Sequence, residues 1–176
     1  MIVTDSMEVT LNVATPDEMP VLANLLELYQ HDLSECFEVD VGIDGRFGYA
    51  RLPLYWSEPE RRFPFLIRCG SQLAGFALAT LGSPVSDDPN VYDVAELFVL
   101  RRYRRSGVGR KAAHLLWDRY PGHWSVRVFD RNTAALDFWR GVIADYAGSS
   151  VQPRRVEYNG KQWQVFEFEC RRASAC

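Results

Sequence analysis

The segment from Val91 to Leu116 constrains the chain most, because it reads as a strand, a tight turn and a helix in immediate succession. Val91 to Leu100 is a mostly apolar run, Arg104 to Gly109 reads RRSGVG, and Val108, Ala112, Leu115 and Leu116 then share one helical face. Two glycines let the backbone turn with its NH groups unobstructed, and the first helical turn adds orphan donors and the positive end of the dipole. An anion fits there. Arg101, Arg102, Arg104, Arg105, Arg110 and Lys111 place six bases and no acid within eleven residues, in a chain of formal charge −3. The other 14 bases face 23 acids, a balance of −9. So local a positive patch on an acidic protein points to a small polyanionic ligand. A nucleic-acid partner would require a broad basic face.

At 176 residues, with 47% apolar and 13% aromatic content, the chain is long enough for one well-filled core, so a single domain over 1–176 is expected. There is no run of about eighteen apolar residues, and MIVTDSMEVT has neither the basic start nor the apolar stretch of a signal peptide. A soluble, cytoplasmic protein without a membrane partner follows as the expectation. Cys36, Cys69, Cys170 and Cys176 are scattered without a CxxC spacing, which points to reduced thiols and no zinc site. DVGIDG (Asp40 to Gly45) opens like a calcium loop, but Gly42 replaces a ligand and Arg51 stands where the bidentate acid belongs. It reads as a turn, and no metal is expected.

Glu8 to Ala14 alternates as a strand, and Thr15, Pro16, Asp17 and Glu18 have capping-box spacing with proline at the first helical position. The helix that follows is predicted to reach about His31, with Val21, Leu22, Leu25 and Leu28 or Tyr29 as its apolar stripe. Strands are predicted at 64–69 and 73–81 around Gly70-Ser71, then at 91–100 and 124–129. One helix runs from Gly107 to near Pro121, another from Asp130 to Val142 with Ala135, Phe138 and Trp139 on one side. Val151 to Tyr158 and Lys161 to Glu169 flank Asn159-Gly160, a strong hairpin signal.

This order, with RxxGxG at Arg104, Gly107 and Gly109 and NxxAxxFW at Asn132, Ala135, Phe138 and Trp139, resembles the GNAT superfamily of N-acetyltransferases over nearly the whole chain. The resemblance implies an α/β (α+β) fold: a mixed, mostly antiparallel sheet of about seven strands flanked by helices. It implies acetyl-CoA as co-substrate, with Phe98 and Val99 along the pantetheine arm and Arg104, Arg105, Ser106, Gly107, Val108, Gly109 and Arg110 around the pyrophosphate. Asn132, Phe138 and Trp139 complete the implied cofactor set. A primary amine is the implied acceptor, on a small molecule or a peptide, and a homodimer is among the arrangements the resemblance allows. Where the family usually has a tyrosine that protonates the departing thiolate, this chain has Trp139, whose indole releases no proton near neutral pH. Either another group or solvent supplies that proton, or the chain is a non-catalytic acyl-CoA-binding module. A thiolate of pKa about 8.5 leaves tolerably without help.

Direct attack of a neutral amine on the thioester needs no protein nucleophile, and His31, His114 and His123 accompany no serine or cysteine pattern. Glu96 and Asp93, just before the cradle, are the candidate catalytic acids. Strand alternation points them to opposite faces, but the resemblance implies a bulge near the end of this strand, so parity does not settle which acid reaches the acetyl group. Backbone NH groups near Val99 and Leu100 are the oxyanion donors that the resemblance implies. A competing pattern is GxGxxA at Gly107, Gly109 and Ala112 with Asp130 downstream, a dinucleotide signature. Seven residues from Leu100 to the glycine are too many for that motif, and meander and hairpin signals replace repeated βαβ units. From Glu35 to Arg62, the aromatics Phe37, Phe47, Tyr49, Tyr55 and Trp56 either hold an organic cation together with nearby acids or fill the core beneath a long loop.

Overall fold

A computed structural model describes residues 8–171, so the first seven residues and Cys176 lie outside it. Seven strands form one sheet: β1 (Val9–Val13), β2 (Arg62–Cys69), β3 (Gln72–Leu81), β4 (Tyr92–Val99), β5 (Gly122–Phe129), β6 (Arg154–Tyr158) and β7 (Lys161–Cys170). Their spatial order is β1-β2-β3-β4-β5-β7-β6. Every neighbouring pair is antiparallel except β4 with β5. The expected mixed, mostly antiparallel architecture is therefore the observed one, and the doubly wound parallel sheet of a dinucleotide fold is not.

Four helices cover the sheet: α1 (Met19–Leu33), the short α2 (Leu54–Ser57), α3 (Val108–Arg119) and α4 (Thr133–Ala147). Leu22, Leu25 and Leu26 of α1 and Tyr55 of α2 bury against Leu66, Phe76, Leu78 and Phe98 on one face. On the other, Ala112, Leu116 and Trp117 of α3 and Val142 and Ile143 of α4 pack on Val94, Trp124, Val126 and Phe166. Burial on both faces explains why β2 and the middle of β3 read as continuous apolar runs without alternation. No helix among the described residues is long and apolar enough to cross a membrane.

Thr15 and Glu18 form the capping box at the entry to α1 through a short 3₁₀ turn. Of the expected stripe of α1, Leu22 and Leu25 are buried, Val21 and Tyr29 pack half-buried on the same core and Leu28 is 50% exposed, while Leu26, absent from the expectation, is buried. The stripe thus closes as Leu22, Leu25 and Leu26, the i, i+3, i+4 arrangement that meets a sheet most squarely. α4 continues five residues beyond Val142 and stops at Gly148, whose φ of 71° is the left-handed cap of a helix end. β6 starts at Arg154 and not at Val151, since Pro153 has no NH to give to the ladder. Asp40 to Gly45 is a turn, with the Gly42 NH donating to the Arg46 carbonyl at 2.8 Å.

Two features of β4 shape what lies beside it. Its register against β3 skips Ala95, with Leu78 opposite Glu96 and Ala79 opposite Val94. Against β5 it pairs only at Tyr92, Asp93 and Val94. Past the bulge the two parallel strands separate.

Candidate active site

The turn before α3 is built from backbone strain that its residues tolerate. Gly107, the N-cap of α3, has φ 85°, and Arg105 has φ 60°. A side chain at Gly107 would meet nothing within 4 Å, so glycine serves conformation there and not space. Gly109 is the reverse case. A Cβ on it would lie 3.1 Å from the Phe138 ring and 3.6 Å from Val99 Cγ2, so its bare backbone lets α3 seat against α4 and β4 together. The Lys111 NH is bonded to the Gly107 carbonyl at 2.9 Å, which leaves the amides of the first helical turn at the mouth of the turn. Ser106 Oγ donates to the Tyr103 carbonyl at 2.7 Å and holds the loop from within.

Arg104 turns inward. Its Nε donates to the Val99 carbonyl at 2.7 Å, its Nη2 pairs with Asp32 at the end of α1, and its guanidinium lies 5.4 Å from the Phe98 ring centre. Arg101 reaches the other oxygen of Asp32 at 2.7 Å. Burial favours protonation of Asp32, but its hydrogen bonds from Arg104 and Arg101 outweigh that and hold the carboxyl below its ordinary range. One acid thus straps two of the patch arginines to α1, while Arg105 stays exposed and Arg110 pairs with Asp145 at 3.2 Å.

Where β4 and β5 part, a cleft of about 300 Å³ opens between Ala95, Glu96 and Leu97 on one wall and Arg127, Val128 and Phe129 on the other. Trp139 lines it from α4 and is 7% exposed, packed edge-on at 5.0 Å against Phe138. Asn132 borders it as the cap of α4, its Oδ1 accepting the Ala135 NH at 3.1 Å. The Leu100 NH, expected as an oxyanion donor, instead donates to the Ala74 carbonyl at 2.8 Å. It closes the β3–β4 edge and is not free for a ligand.

The Ala95 bulge overturns strand alternation: Asp93 and Glu96 lie on the same face of the sheet, both bordering a second cavity of about 450 Å³ that Arg127 also lines. Their surroundings differ. Asp93 is fully buried, accepts from Arg127 Nε at 3.0 Å and Nη2 at 2.7 Å, and takes a further hydrogen bond from Ser83 at 3.0 Å. Glu96 is half-buried and accepts from Tyr29 at 2.5 Å and Tyr49 at 3.1 Å. Burial raises its pKa above the ordinary value, against the lowering effect of the two phenols and Arg127. Burial and the neighbouring Glu96 push both phenols upward, so they stay protonated donors. Glu96, Tyr49, Ala95 and Arg127 border both cavities and therefore join them.

Tyr29, Arg127 and Asp32 are members of this candidate site that the sequence reading does not single out, and Tyr49 is left open there between holding an organic cation and filling the core. Tyr29 sat in the expected stripe as a packing residue, and Tyr49 among loop aromatics. Arg127 did carry a signal, since a base at the centre of WSVRVF requires a buried partner. Of the loop aromatics, Tyr55 is buried, Trp56 donates to the Ala14 carbonyl at 3.0 Å, and Phe37 packs edge-on against Phe129 with ring centres 4.8 Å apart. Among the described residues no group of histidines, cysteines or acids is arranged to hold a metal.

Residues 22–142 match the family described as Acetyltransferase (GNAT) family. An acetyltransferase from Thermus thermophilus has a similar fold, with TM-score 0.67 at 17% identity over 93% of this chain and 98% of its own. The ribosomal-protein-S18-alanine N-acetyltransferase of Escherichia coli superposes with TM-score 0.57 at 14% identity, covering 95% of this chain and 97% of its own. An aminoglycoside acetyltransferase in complex with coenzyme A gives TM-score 0.67 at 15% identity over 92% and 95%. No curated protein matches the chain by sequence.

Proposed function

Because the chain belongs to the acetyltransferase (GNAT) family, we propose that it moves an acetyl group from acetyl-CoA to a primary amine by direct attack. The carrying observation is Glu96, a carboxylate of raised pKa at the junction of two cavities. The residues fit an acyl-CoA: amides at the start of α3 and the exposed Arg105 suit the phosphates, and the β4–β5 cleft suits an extended thioester arm. Similar folds whose names give a ribosomal-protein alanine and an aminoglycoside as acceptors support an amine as the partner.

In this mechanism Glu96 takes the proton of the attacking amine from the second cavity. The nitrogen lone pair forms the new C–N bond at the thioester carbonyl, and the C–S bond breaks. Coenzyme A leaves as thiolate and collects its proton from solvent, because Trp139 offers none. Tyr29 and Tyr49 hold Glu96 in place and keep its charge tolerable. Asp93 has both oxygens engaged, so its part is to fix Arg127 and the strands, not to receive the proton. Thiol release should therefore require both acetyl-CoA and an amine. Coenzyme A binding without any amine-dependent thiol release would replace this reading with a non-catalytic acyl-CoA-binding module, which Trp139 in place of tyrosine favours.

A further inference from the structure

The second cavity is unusual in what is left unpaired around it. Arg51, Arg61, Arg62 and Arg127 all line it, against Glu58, Asp93 and Glu96. Two of these arginines are already neutralised: Arg62 by Glu58 at 2.6 Å and Arg127 by Asp93 at 2.7 Å. Arg61 donates only to the Leu81 carbonyl, at 3.2 Å, and among the described residues no carboxylate lies within ion-pair distance of Arg61 or Arg51. Both are exposed at the mouth. Glu96 faces the same space with its charge disfavoured by burial. The cavity thus presents surplus positive charge at its rim and a proton acceptor at its inner end.

That distribution opposes a polycation. The Tyr55 ring already carries the Arg62 guanidinium at 5.7 Å, so that face holds a cation of the protein's own. Building on the acetyltransfer reading, we propose that the acceptor is a small amine that also bears an anionic group, a carboxylate or a phosphate. Arg51 and Arg61 bind that group while the amine reaches Glu96. Guanidinium forks match both anions, and hydrogen bonds between charged partners are the strong ones.

Matched amines on the full chain loaded with coenzyme A test this: 4-aminobutanoate against 4-aminobutanamide, and O-phosphoethanolamine against ethanolamine. Binding is measured by calorimetry, and turnover by thiol release with acetyl-CoA. The charged member of at least one pair should bind about tenfold or more tightly, with the gain in KM more than in kcat. The pair that shows it tells carboxylate from phosphate. In the double variant Arg51→Gln, Arg61→Gln the difference between members should vanish, with coenzyme A affinity retained. Both side chains are exposed, so the variant should fold. Equal or tighter binding of the neutral member in both pairs, or a preference that survives the double variant, overturns the proposal. Matched-pair binding is read without turnover, so an anion preference without thiol release counts against acetyl transfer and not against the arginine site. Turnover of neutral amines without such a preference does the opposite.

Discussion

At the scale of single residues, the site turns on what burial does to Glu96 and Trp139. Folding raises the pKa of Glu96, so the folded protein holds its proton more strongly than the unfolded chain. Stability is then undiminished below the ordinary value of 4.5, falls as pH rises from there through the folded pKa, and stays lowered above it. Glu96→Gln removes the ionisable group. Its melting temperature should exceed that of the parent at pH 7 to 8, and the two should converge below about pH 4.5. Its kcat/KM should fall on the order of 10²-fold, most at low pH where fewer amines are already neutral. A lower melting temperature at neutral pH together with weaker coenzyme A binding would mark Glu96 as structural. Trp139→Phe keeps an aromatic ring against Phe138 and the cleft, and should retain most turnover in the same assay. Loss of turnover with intact cofactor binding would show the indole NH to be needed.

At the scale of elements, the turn into α3 depends on two glycines for different reasons, and substitutions can separate them. Asn and Asp both tolerate the left-handed conformation that Gly107 adopts, and they differ in charge but hardly in size. Gly107→Asp should weaken coenzyme A binding about tenfold or more beyond Gly107→Asn, as measured by calorimetry with melting curves as the folding control. Equal affinities would move the pyrophosphate elsewhere. β4 and β5 raise the matching question of what holds two strands together once their ladder stops at Val94 and Val126. Arg127 on β5 grips Asp93 on β4 with two hydrogen bonds at that point, and the Asp93 carboxylate is fully buried. Arg127→Met would leave a carboxylate fully buried and unpaired, at a cost of about 3–5 kcal/mol in urea unfolding. Adding Asp93→Asn to it should recover part of the loss.

For the molecule as a whole, the order of elements, the capping box and the cradle turn were legible in the chain because each rests on contacts a few residues apart. Periodicity in α3, proline and acids at the start of α1, and glycines flanked by arginines all act locally. The resemblance carried by Arg104, Gly107, Gly109, Asn132, Ala135 and Phe138 then implied the sheet. Other things depend on residues far apart and were not legible. The resemblance implied a bulge in β4 but not its place: it falls at Ala95 through how β4 pairs with β3, and it brings Asp93 and Glu96 to one face against their alternation. Glu96 meets Tyr29 across 67 positions and Tyr49 across 47, while Asp32 meets Arg104 across 72. Roles were set in the same way: which acid is locked in an ion pair, which is left half-buried, and which arginines keep their charge. Residue order was enough to specify the elements, the glycine–arginine turn before α3 and the family resemblance, since these follow from local backbone preference and spacing. The acid at the junction and the charge around the second cavity emerged only on folding, because burial and pairing are properties of neighbours in space.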